Sequence, residues 1–253
     1  MSLRIGDTLG GGIGRAFTYS GVVLMALLFV YQVLFTVAVN SLLLRYLPPE
    51  AAESSQFVLS APIPPAVAGA GVVAGLLLGA ALNLVATRAL TRERKALNSM
   101  PAELFTRRIG WATLSAVGAN LFVGAAVFTG FLLLVVPGVY LAISFLFAIF
   151  VVGVEDERAI DALWRSWALA GGNRWRLLAL MVIIVVATGV GSNIGSVLSF
   201  VNPVAGELLS LVVSAVFGVI GYGILAEAYL RLADEPGGGE GTGTPAPEAD
   251  PAA

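Results

Sequence analysis

Four arginines and two tryptophans between residues 158 and 176 have the types and the spacing to bind an anion at a membrane surface. They are Arg158, Trp164, Arg165, Trp167, Arg174 and Arg176. A guanidinium group binds phosphate through charge-assisted hydrogen bonds, and tryptophan favours the level of the lipid headgroups. These residues therefore predict contact with an anionic lipid or another phosphate-bearing ligand. Simple anchoring at the membrane surface accounts for the same residues and is the preferred explanation.

A second group of polar residues lies within long apolar segments, where such side chains are candidates for function. They are Asn83, Asn120, Asn193, Glu207 and Glu227. The asparagines predict a polar path or, as the preferred explanation, hydrogen bonds between packed helices. Glu207 and Glu227 are 20 positions apart, nearly on opposite faces of one helix, so we expect no shared acid pair. We expect Glu227 to pair with Arg231 instead, because the two residues are spaced i,i+4.

The composition excludes several classes of enzyme site. The chain has no cysteine and no histidine, so it lacks thiolate nucleophiles, disulfides, the commonest zinc ligands and the usual acid-base residue of neutral pH. The sequence also contains no dense carboxylate cluster, P-loop or nucleophile motif. We therefore assign no catalytic, cofactor-binding or metal-binding residue. We expect no cofactor, no nucleic-acid partner and no enzymatic activity.

Apolar segments dominate the chain. Its 253 residues are 58% hydrophobic and 12% charged, with a mean hydropathy of +0.90, which is typical of an integral membrane protein. Six apolar segments are predicted to span the membrane as helices; five are long enough to cross a hydrocarbon core of about 30 Å, and the fourth is short. They cover about residues 21–44, 66–90, 109–136, 139–154, 175–200 and 204–232. We predict an all-α, polytopic six-helix domain at residues 21–232, between a cytoplasmic segment at 1–20 and a disordered acidic cytoplasmic tail at 233–253.

The basic residues set the expected orientation. Six spans place the N-terminus, residues 88–108 and 155–176, and Arg231 on one side of the membrane. These parts contain all of the 14 arginines and lysines except Arg45, which lies on the opposite side. The positive-inside rule therefore predicts a multi-pass protein of the cell membrane with both termini in the cytoplasm. All four tryptophans fall on the same predicted side, as expected for an interfacial belt.

Residues 156–171 predict an amphipathic helix in the cytoplasmic interface. Its apolar face is formed by Ile160, Leu163, Trp164 and Trp167. Asp161 and Arg165 lie on another face with the spacing of an i,i+4 ion pair. Similar segments before the other odd-numbered spans suggest three repeated hairpins, although chance similarity is the preferred explanation.

Small residues recur at every fourth position on three predicted spans. The ridges are Gly71, Gly75, Gly79 and Asn83; Ala112, Ala116, Asn120 and Gly124; and Gly206, Ser210, Ser214 and Gly218. Such ridges let helix backbones approach closely, either within one chain or between copies in a homo-oligomer. Between the third and fourth spans, Pro137 and Gly138 predict a type II turn.

The middle of the chain resembles the membrane domain of glycerophosphodiester phosphodiesterases. The resemblance is carried by PGVYL at 137–141, an acidic break at Glu155, ALWRSW at 162–167 and WRLL at 175–178, about 45 residues in all. The same residues resemble related uncharacterised six-span membrane proteins of bacteria and archaea. The resemblance implies a six-helix membrane module without phosphodiesterase activity, because in the enzymes that activity belongs to a separate soluble barrel domain. The family often has an arginine where this chain has Ser144, so no ligand role is carried over to that position.

Three functions follow from these observations. The first is a non-enzymatic membrane module that binds lipid or a protein partner at its cytoplasmic face, around Arg165 and Trp167. The second is a transporter or permease for a small or amphiphilic substrate, with Asn120 and Asn193 on its path. The third and least favoured is an enzyme acting on lipid, which would depend on Glu207 or Glu227.

Overall fold

The computed structural model describes residues 3–48, 50 and 57–234, and every regular element in this part of the chain is a helix. A 3₁₀ helix spans Arg94–Asn98. The α-helices are α1 (Ile5–Ala16), α2 (Tyr19–Tyr46), α3 (Pro65–Leu90), α4 (Glu103–Thr106), α5 (Ile109–Leu133), α6 (Val135–Ser144), α7 (Ala148–Val154), α8 (Ala159–Ala170), α9 (Arg174–Ser199) and α10 (Pro203–Ala233). Almost all of the predicted acidic tail, from residue 235 onward, lies outside the described residues.

The predicted all-α fold with six membrane spans is confirmed. Helices α2, α3, α5, α9 and α10, together with the pair α6 and α7, are long and apolar enough to cross a membrane. Each predicted boundary lies within four residues of the observed one. A run of about 20 apolar residues is an unambiguous signal, because the backbone polar groups of a lipid-embedded segment must pair within a helix. The chain is a multi-pass membrane protein.

Helix α10 lies at the centre of the packing. It forms a hairpin with α9 and also contacts α1, α2 and α3. The core between α3, α7 and α10 contains several fully buried side chains, among them Leu84, Phe147, Phe150 and Val219. Helices α5 and α6 form a separate hairpin, which reaches the rest of the bundle mainly through α3, α7 and α8.

The turn between the third and fourth spans is not at Pro137 and Gly138 as predicted. The chain reverses at Leu134, which is extended, with φ −166° and ψ 151°. Pro137 lies in the first turn of α6, where a missing backbone N–H costs nothing because first-turn N–H groups have no intrahelical acceptor. Gly138 lies against Gly130 of α5, so close that a Cβ on either glycine would meet the other helix below 3 Å. The pair thus serves helix packing.

The fourth span is interrupted between α6 and α7, at residues 145–147. The hydroxyl of Ser166, which is fully buried on α8, fills the break. It accepts a hydrogen bond from the Phe147 N–H (3.1 Å) and donates one to the Ser144 carbonyl (3.0 Å). Both backbone groups lack a helical partner at the break, so Ser166 supplies what the helix cannot.

Replacing Ser166 with alanine leaves these two buried backbone groups unpaired. We expect the free energy of unfolding to fall by about 1–3 kcal/mol, the usual cost of a buried unsatisfied group. Thermal unfolding in mild detergent measures the change. Ser196→Ala is the control, because the Ser196 hydroxyl bonds only within α9, to the Asn193 carbonyl at 2.7 Å, and is exposed. Equal stabilities of the two variants would contradict the bridging role of Ser166.

The predicted interfacial helix is present as α8, but it begins three residues later than expected. Asp156 has a left-handed φ of 56°, which prevents the helix from starting there. The buried face is formed by Ala162, Leu163, Ser166, Leu169 and Ala170, packed against α5, α6 and α7. Ile160 and Trp164, predicted to share the apolar face of Leu163, are exposed at 69% and 72%. Ser166 on the buried face holds α8 against the break between α6 and α7.

Two of the small-residue ridges pack inside the chain. On α3, Gly71, Gly75 and Gly79 face Ala38, Phe35 and Tyr31 of α2. On α10, Gly206 faces Ser199 of α9, and Ser210 faces Gly195. On α5, Ala112 and Ala116 are buried, whereas Asn120 and Gly124 are exposed. Packing within one copy therefore explains the ridge residues that face a neighbouring helix, and a homo-oligomer stays a prediction.

Helix α1 lies against the C-terminal half of α10 through glycines on both sides. A Cβ on Gly12 would overlap the backbone of Ile224, and a Cβ on Gly223 would overlap the Gly12 carbonyl. The close approach buries Arg15, whose guanidinium donates to Glu227 of α10 (2.8 Å) and to the carbonyls of Leu90 (3.0 Å) and Arg92 (2.7 Å). The first and last helices are therefore joined by an ion pair.

Candidate functional site

The structure separates the six residues predicted to contact phosphate. Arg174 and Trp167 come together, and Tyr140 of α6 completes their cluster. Arg165 was predicted to pair with Asp161, but it pairs with Glu155 instead (3.5 Å). The other three lie outside this cluster: Arg158 and Trp164 are exposed on or beside α8, and Arg176 donates to the Asn173 side chain (3.3 Å).

The guanidinium of Arg174 lies over two aromatic rings. Its Cζ atom is 4.6 Å from the centre of the Tyr140 ring and 5.0 Å from that of Trp167. The two rings meet edge to face, with centroids 5.5 Å apart and planes at 75°. Such rings attract a cation through their negative faces, most strongly where water is excluded. They hold the guanidinium in place without neutralising its charge.

Arg174 has no carboxylate partner among the described residues. Neither an ion pair nor a side-chain hydrogen bond satisfies it there, and its Nε atom is buried without an acceptor. Buried charged groups are normally paired, because an unpaired charge loses its hydration without compensation. The Nε atom of Arg174 therefore lacks an acceptor within the described part of the chain.

An apolar pocket of about 550 Å³ opens beside Arg174. It lies between the start of α6 and the start of α9 and is lined by Val135, Val136, Val139, Tyr140, Ile143, Gly172, Arg174, Trp175 and Leu178. This volume is within the usual range of small-molecule pockets, about 300–1,000 Å³. Arg174 is its only charged lining residue. The arrangement suits a molecule with one anionic end and an apolar body.

The pocket joins two regions that the charge pattern assigns to opposite sides of the membrane. Val135 and Val136 follow the turn at Leu134, which lies on the predicted outer side, whereas Arg174 and Trp175 belong to a segment predicted to be cytoplasmic. Tyr140 is five residues into the 20-residue span Val135–Val154, so about three quarters of the span's length separates it from Glu155. Arg174 thus contacts the half of this span predicted to face outward. A cation beside the apolar part of a span is a functional candidate by default.

Comparison with protein families places nearly the whole chain in one family. The family model described as "Domain of unknown function (DUF7847)" matches residues 3–232. The chain belongs to the DUF7847 family. No curated protein and no solved structure matches it. The resemblance to the membrane domain of glycerophosphodiester phosphodiesterases stays a prediction, because the DUF7847 description names no function.

The three asparagines predicted to be functional candidates within the spans of the DUF7847 domain have different surroundings. Asn83 accepts a hydrogen bond from the Tyr222 hydroxyl (2.7 Å), which joins α3 to α10 as interhelical packing predicts. Asn193 is exposed and donates to the Gly189 carbonyl of its own helix (2.7 Å). Asn120 is exposed on α5. Each asparagine lies on a different helix, and none of them lines the pocket beside Arg174.

The two glutamates of α10 in the DUF7847 domain differ in their surroundings. Glu207 is partly buried near the start of the helix, one turn after the Asn202 cap. Glu227 is 7% exposed and forms the predicted i,i+4 pair with Arg231 at 3.0 Å. Its closest cationic partner is Arg15, which the sequence analysis did not identify. As expected from their spacing, the two glutamates do not form an acid pair.

A basic pocket of about 440 Å³ lies at the other end of α7 in the DUF7847 domain, lined in part by Arg88, Arg92 and Arg107. Its arginines already have partners. Arg88 donates to the carbonyls of Gly153 and Arg107 and to Asp156, which also binds Arg107 at 2.6 Å. Burial lowers the pKa of Arg92, but a guanidinium stays protonated. Two of the three guanidinium groups, those of Arg88 and Arg107, are therefore already paired with a carboxylate.

Two of the three acidic residues before α8 likewise have partners. Glu155 pairs with Arg165 and accepts a hydrogen bond from the Tyr229 hydroxyl (2.6 Å), and Asp156 is held by two arginines. Among the described residues, no group of three carboxylates could hold a metal ion. These side chains fix the start of α8 to α3 and α10.

Proposed function

We propose that this protein binds an anionic amphiphile of the membrane in the pocket between α6 and α9, with Arg174 contacting the charged headgroup. The observation that carries the proposal is the guanidinium of Arg174. It lies over Tyr140 and Trp167 without a carboxylate partner in the described chain, at the edge of an apolar pocket of about 550 Å³.

The charge of Arg174 selects the sign of the ligand. Arg174 is half-buried, and its buried Nε atom lacks an acceptor among the described residues, which favours a bound phosphate or carboxylate; charge-assisted hydrogen bonds to such groups are stronger than neutral ones. The two aromatic rings pre-organise the guanidinium, so little side-chain entropy is lost when the anion binds. Tight binding of a neutral lipid of the same shape would leave Arg174 unpaired.

The pocket walls select the rest of the ligand. Val135, Val136, Val139 and Leu178 provide aliphatic surface, and Gly172 leaves room beside the guanidinium. A hydrocarbon chain in this space contacts closely packed side chains on several sides, which gains dispersion energy. The proposed role is binding without chemical turnover, in a multi-pass protein of the cell membrane with both termini in the cytoplasm. Transport is the less favoured role, because Asn120 and Asn193 do not line a common path with the pocket.

Replacing Arg174 with glutamine tests the proposal. The variant keeps a polar side chain but loses the charge, and we expect an anionic phospholipid to bind about tenfold more weakly or worse, the value of one hydrogen bond to a charged group. Native mass spectrometry of protein extracted gently from its own membrane, and then titrated with phosphatidylglycerol, measures the bound fraction.

Arg176→Gln is the matched control. It removes the same charge two residues after Arg174, and the Arg176 side chain does not line the pocket. We expect this variant to bind phosphatidylglycerol as the wild type does. Equal lipid retention by the wild type and both variants would contradict the proposal. It would leave the arginines of this segment as anchors at the membrane surface.

A further inference from the structure

A second apolar groove lies on the other side of Trp167. Its volume is about 670 Å³, and it runs between α5 and α8 past Gly118, Phe122, Phe145, Trp164 and Trp167. None of its lining residues is charged. Gly118 lines the end of the groove next to Ala159. A Cβ added at Gly118 would meet only the Cβ of Ala159, at an ordinary contact distance of 3.8 Å, so this position has room for a side chain.

The two cavities share one aromatic wall. Tyr140 lines the pocket between α6 and α9, and Trp167 lines the groove between α5 and α8. These two rings contact each other with centroids 5.5 Å apart, and Phe145 extends the wall at 5.6 Å from Trp167. Arg174 lies over both Tyr140 and Trp167. The guanidinium of Arg174 is therefore positioned where the two apolar cavities meet.

We propose that the ligand is a two-chain anionic lipid that straddles this wall, with its headgroup at Arg174, one hydrocarbon chain in the pocket and the other in the groove. The inference rests on the proposed function and adds the class of ligand. One anionic group joined to two apolar chains matches one cation flanked by two apolar cavities. An apolar helix of a partner protein would fill the groove but leave Arg174 unpaired, so the charge favours the lipid.

Two lipids with the same headgroup but different numbers of hydrocarbon chains test whether the second chain contributes to binding. We expect the delipidated wild-type protein in detergent to bind phosphatidylglycerol at least about tenfold more tightly than lysophosphatidylglycerol, because the second chain gains contacts in the groove. Native mass spectrometry with both lipids at matched concentrations gives the two affinities. Equal affinities for the two lipids would overturn the inference.

Filling the groove provides the second measurement. In Gly118→Leu the new side chain occupies the space of the second chain, and we expect binding of phosphatidylglycerol to fall to the level of lysophosphatidylglycerol while binding of the one-chain lipid is unchanged. Gly124→Leu is the matched control on the same helix, because a side chain there points into open space. We expect it to bind both lipids as the wild type does.

The outcomes separate this inference from the proposed function. If Arg174→Gln weakens both lipids but Gly118→Leu weakens neither, the ligand is anionic and occupies only the pocket between α6 and α9, and the two-chain inference is wrong. If Arg174→Gln weakens neither lipid, the proposed function fails as well. Loss of phosphatidylglycerol binding in both Gly118→Leu and Gly124→Leu would show a general defect of α5 and would also count against the groove.

Discussion

Replacing Glu227 with alanine lowers the free energy of unfolding by about 3–5 kcal/mol, the usual effect of breaking a buried ion pair on one side. Glu227 and Arg15 are each 7% exposed, and their Nε–Oε2 distance is 2.8 Å. The variant leaves the Arg15 guanidinium buried with only the Leu90 and Arg92 carbonyls as acceptors among the described residues. Its remaining charge is then uncompensated. Unfolding by heat or by SDS in mixed micelles measures the loss.

Two further variants separate charge from packing. Glu207→Ala removes a carboxylate from the same helix, but from a position without an ion pair in the described chain, so we expect a change below about 0.5 kcal/mol. The double variant Arg15→Met, Glu227→Met replaces both charges with apolar groups and should recover most of the lost stability. A double variant as unstable as Glu227→Ala would show that the pair acts through its shape and hydrogen bonds rather than its charge.

Replacing Gly12 with alanine has the second largest expected effect. The new methyl group overlaps the backbone of Ile224, and a backbone cannot move aside as a side-chain end can. Helix α1 must then move away from α10, which exposes the pair between Arg15 and Glu227. We expect a loss of about 3 kcal/mol or more, at the upper end of the cost of overpacking. Because the chain has no cysteine, a single cysteine placed on α1 reports the movement through its labelling rate.

Gly10 provides a control of opposite sign. It lies on the same helix, and a Cβ there meets nothing within 4 Å. Gly10→Ala should therefore stabilise α1 by up to about 1 kcal/mol through helix propensity alone. If Gly12→Ala stabilised the protein to the same extent, the close contact between α1 and α10 would not exist.

The spans could be predicted from the sequence because each is determined by local composition. The start of α10 lies one residue from the predicted start, and there the Asn202 side chain accepts a hydrogen bond from the Ala205 N–H. The turn at Leu134 was missed because Pro137 and Gly138 are a strong turn signal, and only the contact of Gly138 with Gly130 accounts for their place inside α6. A contact between helices has no local signal.

The candidate site was predicted in part. Arg174 and Trp167 were chosen for their residue types, which is how the sequence can indicate an anion site. Tyr140 drew notice only through the family resemblance, and nothing in the sequence shows that it contacts a residue 34 positions away. Arg165 had acidic neighbours at both Asp161 and Glu155, and the rotation of α8 decided between them. Partner choice depends on tertiary packing, which residue spacing does not contain.

The pair between Arg15 and Glu227 also sets an order for biosynthesis. The two residues are 212 positions apart, so at about 5–20 residues per second the ribosome adds Glu227 roughly 10–40 s after Arg15. During this interval the only acceptors of Arg15 among the described residues that have already been synthesised are the carbonyls of Leu90 and Arg92. Helix α1 can therefore complete its docking only after the last span has been inserted. The N-terminal helix is among the last parts of the bundle to reach its final place, although it is the first to be made.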